Sequence, residues 1–507
     1  MTIVVLYSQL IFSQNYFQRA LGDSMSQALN SIELSGNSDF IGAGYSYKDN
    51  PYSKHGWIAK FDKSGNIIWD KTIHRYGNEE FTDIIKSNSG DFYAIGKTDS
   101  MTTNKSSLMI LKFNTNGDTI WTRVISSNES IEIKHIEEIS SGGFIMTGSI
   151  RQSNTKQIVL MKMNNYGAIN WIKYYGYLNY TQNGYCVKET HHGFVITGSN
   201  EYGAASNHLS GFMLVTDSLG NKLWDKFFHP KTNIDDDIGL GTYIIQCKDK
   251  GYVFGGNFYI NNTSQTIIVK MDSLGNEIWH NYFSNIGGNP VSIIENQDSS
   301  IVILTSKSNL LKLNSDGTIV WSKTIAKGNA KDLKTKNDGF IYVGETNLFG
   351  NGIYDGLIVS TDENGKTYCS DSTITPIFDS TGFENNGIIN FVGTASLYYL
   401  NDSIEINESY SSIMSICDTT IYIGNKELVE LKNNVSYYPN PVTDIINVRP
   451  NFVENYSIRL INSMGKLIQS KMASGDIQLE TSQIPQGLYI VEVISDKKRF
   501  IFKILKQ

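Results

Sequence analysis

Cysteine and charge are both scarce in this chain of 507 residues. The four cysteines form no C-x-x-C pair and are too few for a disulfide-stapled scaffold, which excludes a zinc knuckle and a thioredoxin-like motif. Charged residues make up 18% of the chain. The net charge of −7 argues against a protein that binds the phosphate backbone, so no nucleic-acid partner is expected.

Long apolar runs and familiar catalytic motifs are also missing. The run TIVVLYSQLIFSQ at the N-terminus is too short to span a bilayer, so no transmembrane span is predicted. It is typical of a secretory signal that lacks its usual positive start, and we predict a signal peptide at 1–14, with a first buried strand as the alternative. No G-x-S-x-G, H-E-x-x-H or phosphate-binding glycine loop occurs, and no cofactor is predicted.

A short pattern, in contrast, returns throughout the chain. DKSGNIIW at 62–69 reappears as NTNGDTIW, NNYGAINW, DSLGNKLW, DSLGNEIW and NSDGTIVW. An Asp or Asn side chain can bond the backbone two residues on, and the glycine accepts the positive φ of a tight hairpin. Because an apolar run precedes every copy, the pattern predicts a turn between two strands.

A second pattern, an apolar strand that closes on glycine as in DFYAIG and GFIMTG, divides the chain into seven units. Each unit contains four short strands within roughly 40 to 55 residues, which is typical of a propeller blade. No helical stripe interrupts the units, which excludes a helical solenoid. We therefore predict an all-β fold, a seven-bladed β-propeller at 15–369. Its scaffold tryptophans are predicted on the outermost strands: Trp69, Trp121, Trp171, Trp224, Trp279 and Trp321.

The last unit lacks its fourth strand, because Cys369 stands where tryptophan is expected. Residues 14–20 are predicted to supply that strand and so to close the ring without a loose edge. The arrangement resembles secreted bacterial propellers of the quinoprotein-like and other seven-bladed families. The quinone-dependent dehydrogenases of this class usually have neighbouring cysteines, and this chain has none.

The ligand face is predicted at the end of the propeller where the connections vary in length. Variable loops on a rigid scaffold are where binding usually occurs. Carboxylates there could hold calcium, but turn capping and solvation are favoured, and no metal site is predicted. The candidate residues for this face are Asp235, Asp236, Asp237, Glu79, Glu80 and Trp57.

The C-terminal part changes character twice. Residues 370–433 are predicted to be a linker or a β-rich adaptor, and an oxidising setting would permit a disulfide between Cys369 and Cys417. Residues 434–507 alternate apolar and polar positions between turns, which predicts a small β-sandwich. This segment resembles the type A C-terminal sorting domain of the type IX (Por) secretion system. The matching residues are Pro439, Asn440, Pro441, Gly465, Gly487, Tyr489, Lys503 and Lys506.

The resemblance implies the route of the protein. The signal peptide would take the chain through the inner membrane, and the type IX secretion machinery would recognise and remove the sorting domain. We therefore predict a secreted or cell-surface binding module, whose ligand is a glycan or a protein. The alternative is a secreted hydrolase or lyase that acts on polysaccharide through acidic residues on the variable-loop face.

Overall fold

A computed structural model describes most of the chain between residues 13 and 506. The residues left out within that range are 24, 37, 49–52, 76, 100–104, 177–179, 203–207, 231–237, 261–262, 350–351, 370, 375, 377, 380–382, 385–389, 394–396, 401–403, 410, 423–434, 440, 451–454, 463–466 and 496–498. The chain divides into two compact units, with the boundary after Tyr422.

The larger unit begins with β1 (Ser13–Gly22). Seven groups of antiparallel strands follow, which we call blades one to seven. The first six groups contain four consecutive strands each, and the last contains three. Blade one contains β2 (Gln27–Leu34), β3 (Phe40–Tyr47), β4 (Lys54–Phe61) and β5 (Ile67–His74). Blade two contains β6 (Glu79–Lys86), β7 (Phe92–Asp99), β8 (Ser106–Phe113) and β9 (Thr119–Ser127). Blade three contains β10 (Ile131–Glu138), β11 (Phe144–Gln152), β12 (Thr155–Met163) and β13 (Ile169–Gly176).

The remaining blades repeat this order. Blade four contains β14 (Tyr180–Glu189), β15 (Gly193–Tyr202), β16 (His208–Asp217) and β17 (Lys222–Pro230). Blade five contains β18 (Ile238–Gln246), β19 (Tyr252–Ile260), β20 (Thr263–Met271) and β21 (Glu277–Phe283). Blade six contains β22 (Pro290–Glu295), β23 (Ile301–Thr305), β24 (Asn309–Leu313) and β25 (Ile319–Thr324). Blade seven contains β26 (Asn329–Lys336), β27 (Gly339–Thr346) and β28 (Asp355–Asp362).

The blades form a closed ring. The first strand of each blade lies against the first strand of the next, and β26 of blade seven lies against β2 of blade one. The N-terminal strand β1 pairs antiparallel with β28, with Phe17 opposite Ser360 and Leu21 opposite Gly356, so it is the fourth strand of blade seven. This confirms the predicted propeller fold and its closure by the N-terminal strand.

The hydrophobic core lies between neighbouring blades. Seven buried clusters occupy the seven interfaces, and each combines side chains from two adjacent blades. Strands in the middle of a blade are covered on both faces, and so most residues of β8 are buried. In β9, the fourth strand, the first two residues after the turn are exposed and the next three are half-buried. The near-continuous apolar runs of the sequence therefore reflect burial on two sides.

The repeated glycine and tryptophan meet across these interfaces. Gly117, in a turn of blade two, has φ of +79°, and a Cβ there would lie 3.1 Å from the Trp69 ring of blade one. The N-terminal strand completes the series, because a Cβ at Gly65 would lie 2.6 Å from the ring of Phe17. The same contact joins Trp121 to Gly167, Trp171 to Gly220, Trp224 to Gly275, Trp279 to Gly317 and Trp321 to Gly365.

The chain after blade seven runs back around the outside of the ring. It adds a fifth, antiparallel strand to blades six, five, four, three, two, one and seven, in that order. We call residues 372–422 the belt. Its strands are β29 (Ser372–Thr373), β30 (Phe378–Asp379), β31 (Phe383–Glu384), β32 (Asn390–Gly393), β33 (Leu397–Leu400), β34 (Glu405–Ser409) and β35 (Ser412–Tyr422).

The belt differs from the linker or adaptor that the sequence predicted for 370–433. The fourth strand of a blade has an open edge with unpaired backbone groups, and an extended chain satisfies them by pairing there. The longest pairing joins β35 to β1, which places β1 between β28 and the belt. The predicted N-terminal strand is therefore the fourth strand of its sheet but no longer the outermost one.

Side chains also attach the belt to the ring. Ser411 donates its hydroxyl to Oδ2 of Asp70 at 2.8 Å, and its backbone N–H reaches the same oxygen at 3.3 Å. The Lys71 ammonium lies 3.1 Å from the carboxylate of Glu408. Cys369, just before the belt, is disulfide-bonded, whereas Cys186 and Cys247 are free. The side chain of Cys417, its predicted partner, lies outside the described residues.

The smaller unit is a β-sandwich, as predicted. One sheet contains three strands and the other four. Their inner faces enclose an apolar core that includes Val448, Tyr456, Leu479 and Val491. The strands are β36 (Val435–Tyr438), β37 (Ile445–Pro450), β38 (Tyr456–Asn462), β39 (Leu467–Ala473), β40 (Ile477–Glu480), β41 (Gly487–Ser495) and β42 (Arg499–Lys506). Across the described parts of both units, no helix has the length and apolar character needed to cross a membrane.

Candidate functional site

The predicted ligand face contains a polar cluster built by blades seven, one and two. Lys54 begins β4 and Glu80 lies at the start of β6, where the long connections end. The Lys54 ammonium lies 3.0 Å from Oε2 of Glu80, and Asn30 donates its side-chain amide to Oε1 of the same carboxylate at 3.1 Å. Burial alone would raise the pKa of Glu80, but the Lys54 charge outweighs it and holds this pKa below its usual value.

Two tyrosines at the end of β3 extend this cluster. The Lys54 ammonium lies 4.0 Å from the ring centre of Tyr45 and 5.7 Å from that of Tyr47. The Tyr45 hydroxyl donates to Oε2 of Glu345 in blade seven at 3.4 Å. Burial and the neighbouring Glu345 carboxylate raise the pKa of Tyr45, which keeps its hydroxyl protonated. We call Asn30, Tyr45, Lys54, Glu80 and Glu345 the loop-end cluster.

Glu79, which the sequence placed on the ligand face beside Glu80, is fully buried. Its carboxylate accepts hydrogen bonds from the Thr98 hydroxyl at 2.9 Å and from the backbone N–H of Gly77 at 3.1 Å, and it contacts Nδ1 of His74 at 3.0 Å. Alternation along β6 explains the difference, because adjacent strand residues face opposite sides. Glu79 holds the connection between blades one and two and has no surface to offer a ligand.

Trp57, also predicted on the ligand face, belongs to the core instead. Its side chain is fully buried among residues such as Phe17 and Ile358, at the interface between blades seven and one. The indole N–H donates to Oδ2 of Asp70 at 3.2 Å. The prediction was wrong because nearness to a variable loop in sequence does not decide which face of β4 a residue occupies.

The acidic run Asp235, Asp236 and Asp237 lies outside the described residues, so its role stays a prediction. Within the part of the chain that is described, no group of three or more His, Cys, Asp or Glu side chains is placed to hold a metal ion. The scaffold tryptophans lie on the fourth strand of blades one to six, half-buried against the glycine turns given above.

A second polar group, which the sequence analysis missed, lies at the centre of the ring. The first strand of every blade carries a one-residue bulge at an equivalent point. One residue of this group recurs in the first strand of each blade, and this spacing was the only signal in the sequence. The residue type at that position differs from blade to blade, so no motif was visible. The residues that follow the bulges are Ser31, Asp83, His135, Cys186, Tyr243, Ser292 and Asp332. We call them the axial ring.

Comparison with known families decides the nature of the smaller unit. Residues 436–507 match the family model described as "Secretion system C-terminal sorting domain". The smaller unit is a type IX sorting domain. The protein is therefore cargo of the type IX (Por) secretion machinery, and it is secreted or held at the cell surface. No curated protein sequence matches the chain.

Solved structures are similar at low identity. PorZ of Porphyromonas gingivalis, described as an essential bacterial surface component of the type-IX secretion system, matches at 13% identity and TM-score 0.43 over 95% of this chain and 59% of its own. The chain thus spans less than two thirds of PorZ. BamB of Moraxella catarrhalis matches at 14% identity and TM-score 0.35, over 69% of this chain and 100% of its own. The Dos1 propeller matches at 8% identity and TM-score 0.40, over 68% of this chain and 95% of its own.

The predicted sorting residues occupy different places in the sorting domain. Pro439 and Pro441 are exposed between β36 and β37. Tyr489 is buried, and its hydroxyl donates to the backbone oxygen of Pro485 at 2.9 Å. Gly487 begins β41 with φ of +147°, opposite Lys506 in β42. Outside the described part lie Asn440, Gly465 and the side chain of Lys503.

Proposed function

We propose that this exported propeller is a binding module that recognises a glycan or a protein through the loop-end cluster. The observation that supports it most directly is the convergence of three blades on one half-buried group of polar and aromatic side chains. Lys54 of blade one pairs with Glu80 of blade two, while Tyr45 of blade one bonds Glu345 of blade seven. Sites on rigid strands whose ends meet long connections are well suited to binding.

The chemistry of the cluster favours a ligand rich in hydroxyl groups. Lys54 neutralises Glu80, and the Lys331 ammonium lies 3.4 Å from the Glu345 carboxylate. The cluster therefore presents hydrogen-bond donors and acceptors without a strong charge of one sign. Their side chains are 19% and 21% exposed, which leaves part of each polar group accessible. Tyrosine adds a flat apolar surface with a polar tip, a combination that suits sugars. A neutral glycan is therefore the ligand class that we favour.

The enzyme alternative needs two free carboxylates on this face. Glu79 cannot supply one, because it is fully buried and bonded to Thr98, Gly77 and His74. Glu80 has its pKa lowered by Lys54, which favours a charged acceptor over a proton donor. These contacts favour recognition over catalysis at this cluster.

A glycan array and a cell-binding assay with the exported protein test the proposal. Lys54→Met keeps the stem of the side chain but removes its charge and hydrogen bonds. The expected result is a loss of about tenfold or more in affinity, because hydrogen bonds to charged groups contribute roughly 1.5–3 kcal/mol. The matched control is Lys60→Met, at the opposite end of the same strand, where Lys60 lies 3.5 Å from Asp39. Equal affinity of the two variants, or no binding by the wild type, would refute the proposal.

A further inference from the structure

Three side chains of the axial ring meet where the ring closes. Ser31 belongs to blade one, Asp83 to blade two and Asp332 to blade seven. The hydroxyl oxygen of Ser31 lies 2.7 Å from Oδ1 of Asp83 and 2.9 Å from Oδ2 of Asp332. All three residues are at least nine-tenths buried. Two carboxyl groups therefore flank one hydroxyl in a place that water hardly reaches.

The number of protons decides how this group can bond. A serine hydroxyl has a single hydrogen and can donate it to one of the two carboxyl groups. The other short contact is a hydrogen bond only if that carboxyl group carries a proton and donates it to the serine oxygen. Without the extra proton, one of the carboxylates faces the lone pairs of Ser31 and the negative charge of the other carboxylate. This repulsion destabilises the folded protein, because little water is present in a buried site to screen it.

The surroundings indicate that Asp83 carries the proton. Asp332 lies 3.5 Å from the Lys334 ammonium, and Lys334 also lies 3.0 Å from Glu33. Among the described residues, Asp83 has no ion-pair partner. Burial raises the pKa of Asp83 to about 6. The positive charge of Lys334 opposes this rise, and the negative charge of Asp332 adds to it.

The other groups around the axis do not compete with Asp83 for this proton near pH 6. Burial and the lysine charges hold the pKa of His135 well below its usual value, so this ring is neutral. Burial raises the pKa of Tyr243 to about 12. Lys188 lies 2.6 Å from Glu137, and this pairing raises its pKa despite burial, as Asp332 and Glu33 do for Lys334.

The same carboxyl groups join four blades. Oδ2 of Asp83 accepts the backbone N–H of Ile136 in blade three at 2.9 Å. Oδ2 of Asp332 accepts the backbone N–H of Ile32 in blade one at 3.1 Å. We propose that Asp83 and Asp332 share one proton through Ser31, and that loss of this proton loosens the junction of blades seven, one, two and three. The exported protein thus contains a pH-sensitive element at the point of ring closure.

The sign of the effect follows from linkage. The folded protein binds the Asp83 proton more tightly than the unfolded chain does, because the pKa of this group rises from 3.8 to about 6 on folding. The stabilising contribution is complete below the unfolded pKa and is lost as pH rises through the window between these values. A difference of about two pKa units corresponds to roughly a hundredfold change in the unfolding equilibrium constant.

Unfolding of the full chain at a series of pH values tests the proposal. The wild type should lose stability between about pH 4 and pH 7 by up to the hundredfold given above. Asp83→Asn can still donate to Ser31 without a titrating proton, so this loss should be much smaller. The infrared carbonyl band of a protonated, buried carboxyl group should be present in the wild type at pH 5 and absent from Asp83→Asn. Asp118→Asn, in an exposed turn of blade two, is the control and should follow the wild type.

A second variant keeps the test informative if Asp83→Asn fails to fold. Ser31→Ala removes the oxygen that accepts the Asp83 proton, so the folded protein should hold this proton less tightly and the inflection of the stability curve should move to lower pH. Parallel curves for the wild type and Asp83→Asn, an infrared band that persists in Asp83→Asn, or an unmoved inflection in Ser31→Ala would overturn the proposal.

Discussion

The attachment of the belt to blade one can be tested by a single hydroxyl group. Ser411 lies between β34 and β35 and donates its hydroxyl to Oδ2 of Asp70 at 2.8 Å. Asp70 is only 3% exposed, and the same oxygen accepts the indole N–H of Trp57 at 3.2 Å. Replacement of Ser411 by alanine removes the hydroxyl bond to the belt. It leaves the weaker backbone N–H contact at 3.3 Å and the bond to Trp57 in place.

The expected magnitude follows from the burial of the acceptor. A hydrogen bond to a buried carboxylate contributes about 1.5–3 kcal/mol, which corresponds to a change of roughly 10- to 100-fold in a local opening equilibrium. Only a few backbone pairs hold β34 on β5, so the loss should appear as local opening before the ring unfolds. Amides of 405–422 should therefore exchange with solvent faster by about that factor, while those of β3 and β4 should not change.

Hydrogen exchange followed by mass spectrometry provides the measurement. Asn407→Ala is the control, because Asn407 lies on the neighbouring belt strand β34 with an exposed side chain. It should leave exchange of the belt close to that of the wild type. If Ser411→Ala and Asn407→Ala exchange alike, or if peptides of 405–422 show no protection in the wild type, the belt is not held as described.

Three further predictions concern the scaffold, the thiols and the export signal. Gly117→Ala should lower the free energy of unfolding by about 1–3 kcal/mol in denaturant titration, more than Gly90→Ala, because both have positive φ but only Gly117 faces a tryptophan ring. Thiol titration of the denatured chain should find two reactive groups before reduction and four after it, and four before reduction would contradict the disulfide at Cys369. Removal of 436–507 should leave the protein in the periplasm, and efficient appearance outside the cell would contradict the role of the sorting domain.

The local features of the propeller were predictable because each has a recurring physical requirement. The turn glycines need positive φ, and the tryptophans that pack on them recur at a fixed distance in sequence. The missing tryptophan near Cys369 likewise pointed to the N-terminal strand, and Phe17 takes that place against Gly65. Repetition made these requirements visible in a single sequence.

The belt could not be predicted for the opposite reason. Its pairings with blades four, five and six involve two residues each, and so short a strand has no periodicity of its own. The partner edges were visible as the fourth strands of the blades, but nothing in the interval 370–433 indicated which edge it would cover. Hydrogen bonds between backbones depend little on side-chain identity, so the sequence gives little indication of where the belt pairs.

The composition of the polar cluster at the variable-loop end was only partly predictable. Glu80 does lie in a polar cluster at the variable-loop end, whereas Glu79 and Trp57 turn into the structure. Strand alternation decides between these outcomes, and the phase of a strand near its end is difficult to assign. The axial ring was not predicted, because a bulge in the first strand of each blade shifts the alternation of side chains between the two faces of that strand.

Carbodiimide crosslinking tests the closed ring and its belt most directly, because it joins only lysine and carboxylate groups already in contact. The closed ring predicts a link between Lys334 and Glu33, which lie 3.0 Å apart where blade seven meets blade one. The belt predicts a link between Lys71 and Glu408, which lie 3.1 Å apart between blade one and the belt. Lys112 and Asp91, 3.0 Å apart within blade two, provide the internal control. Recovery of the control link by mass spectrometry without the other two would contradict the ring and the belt.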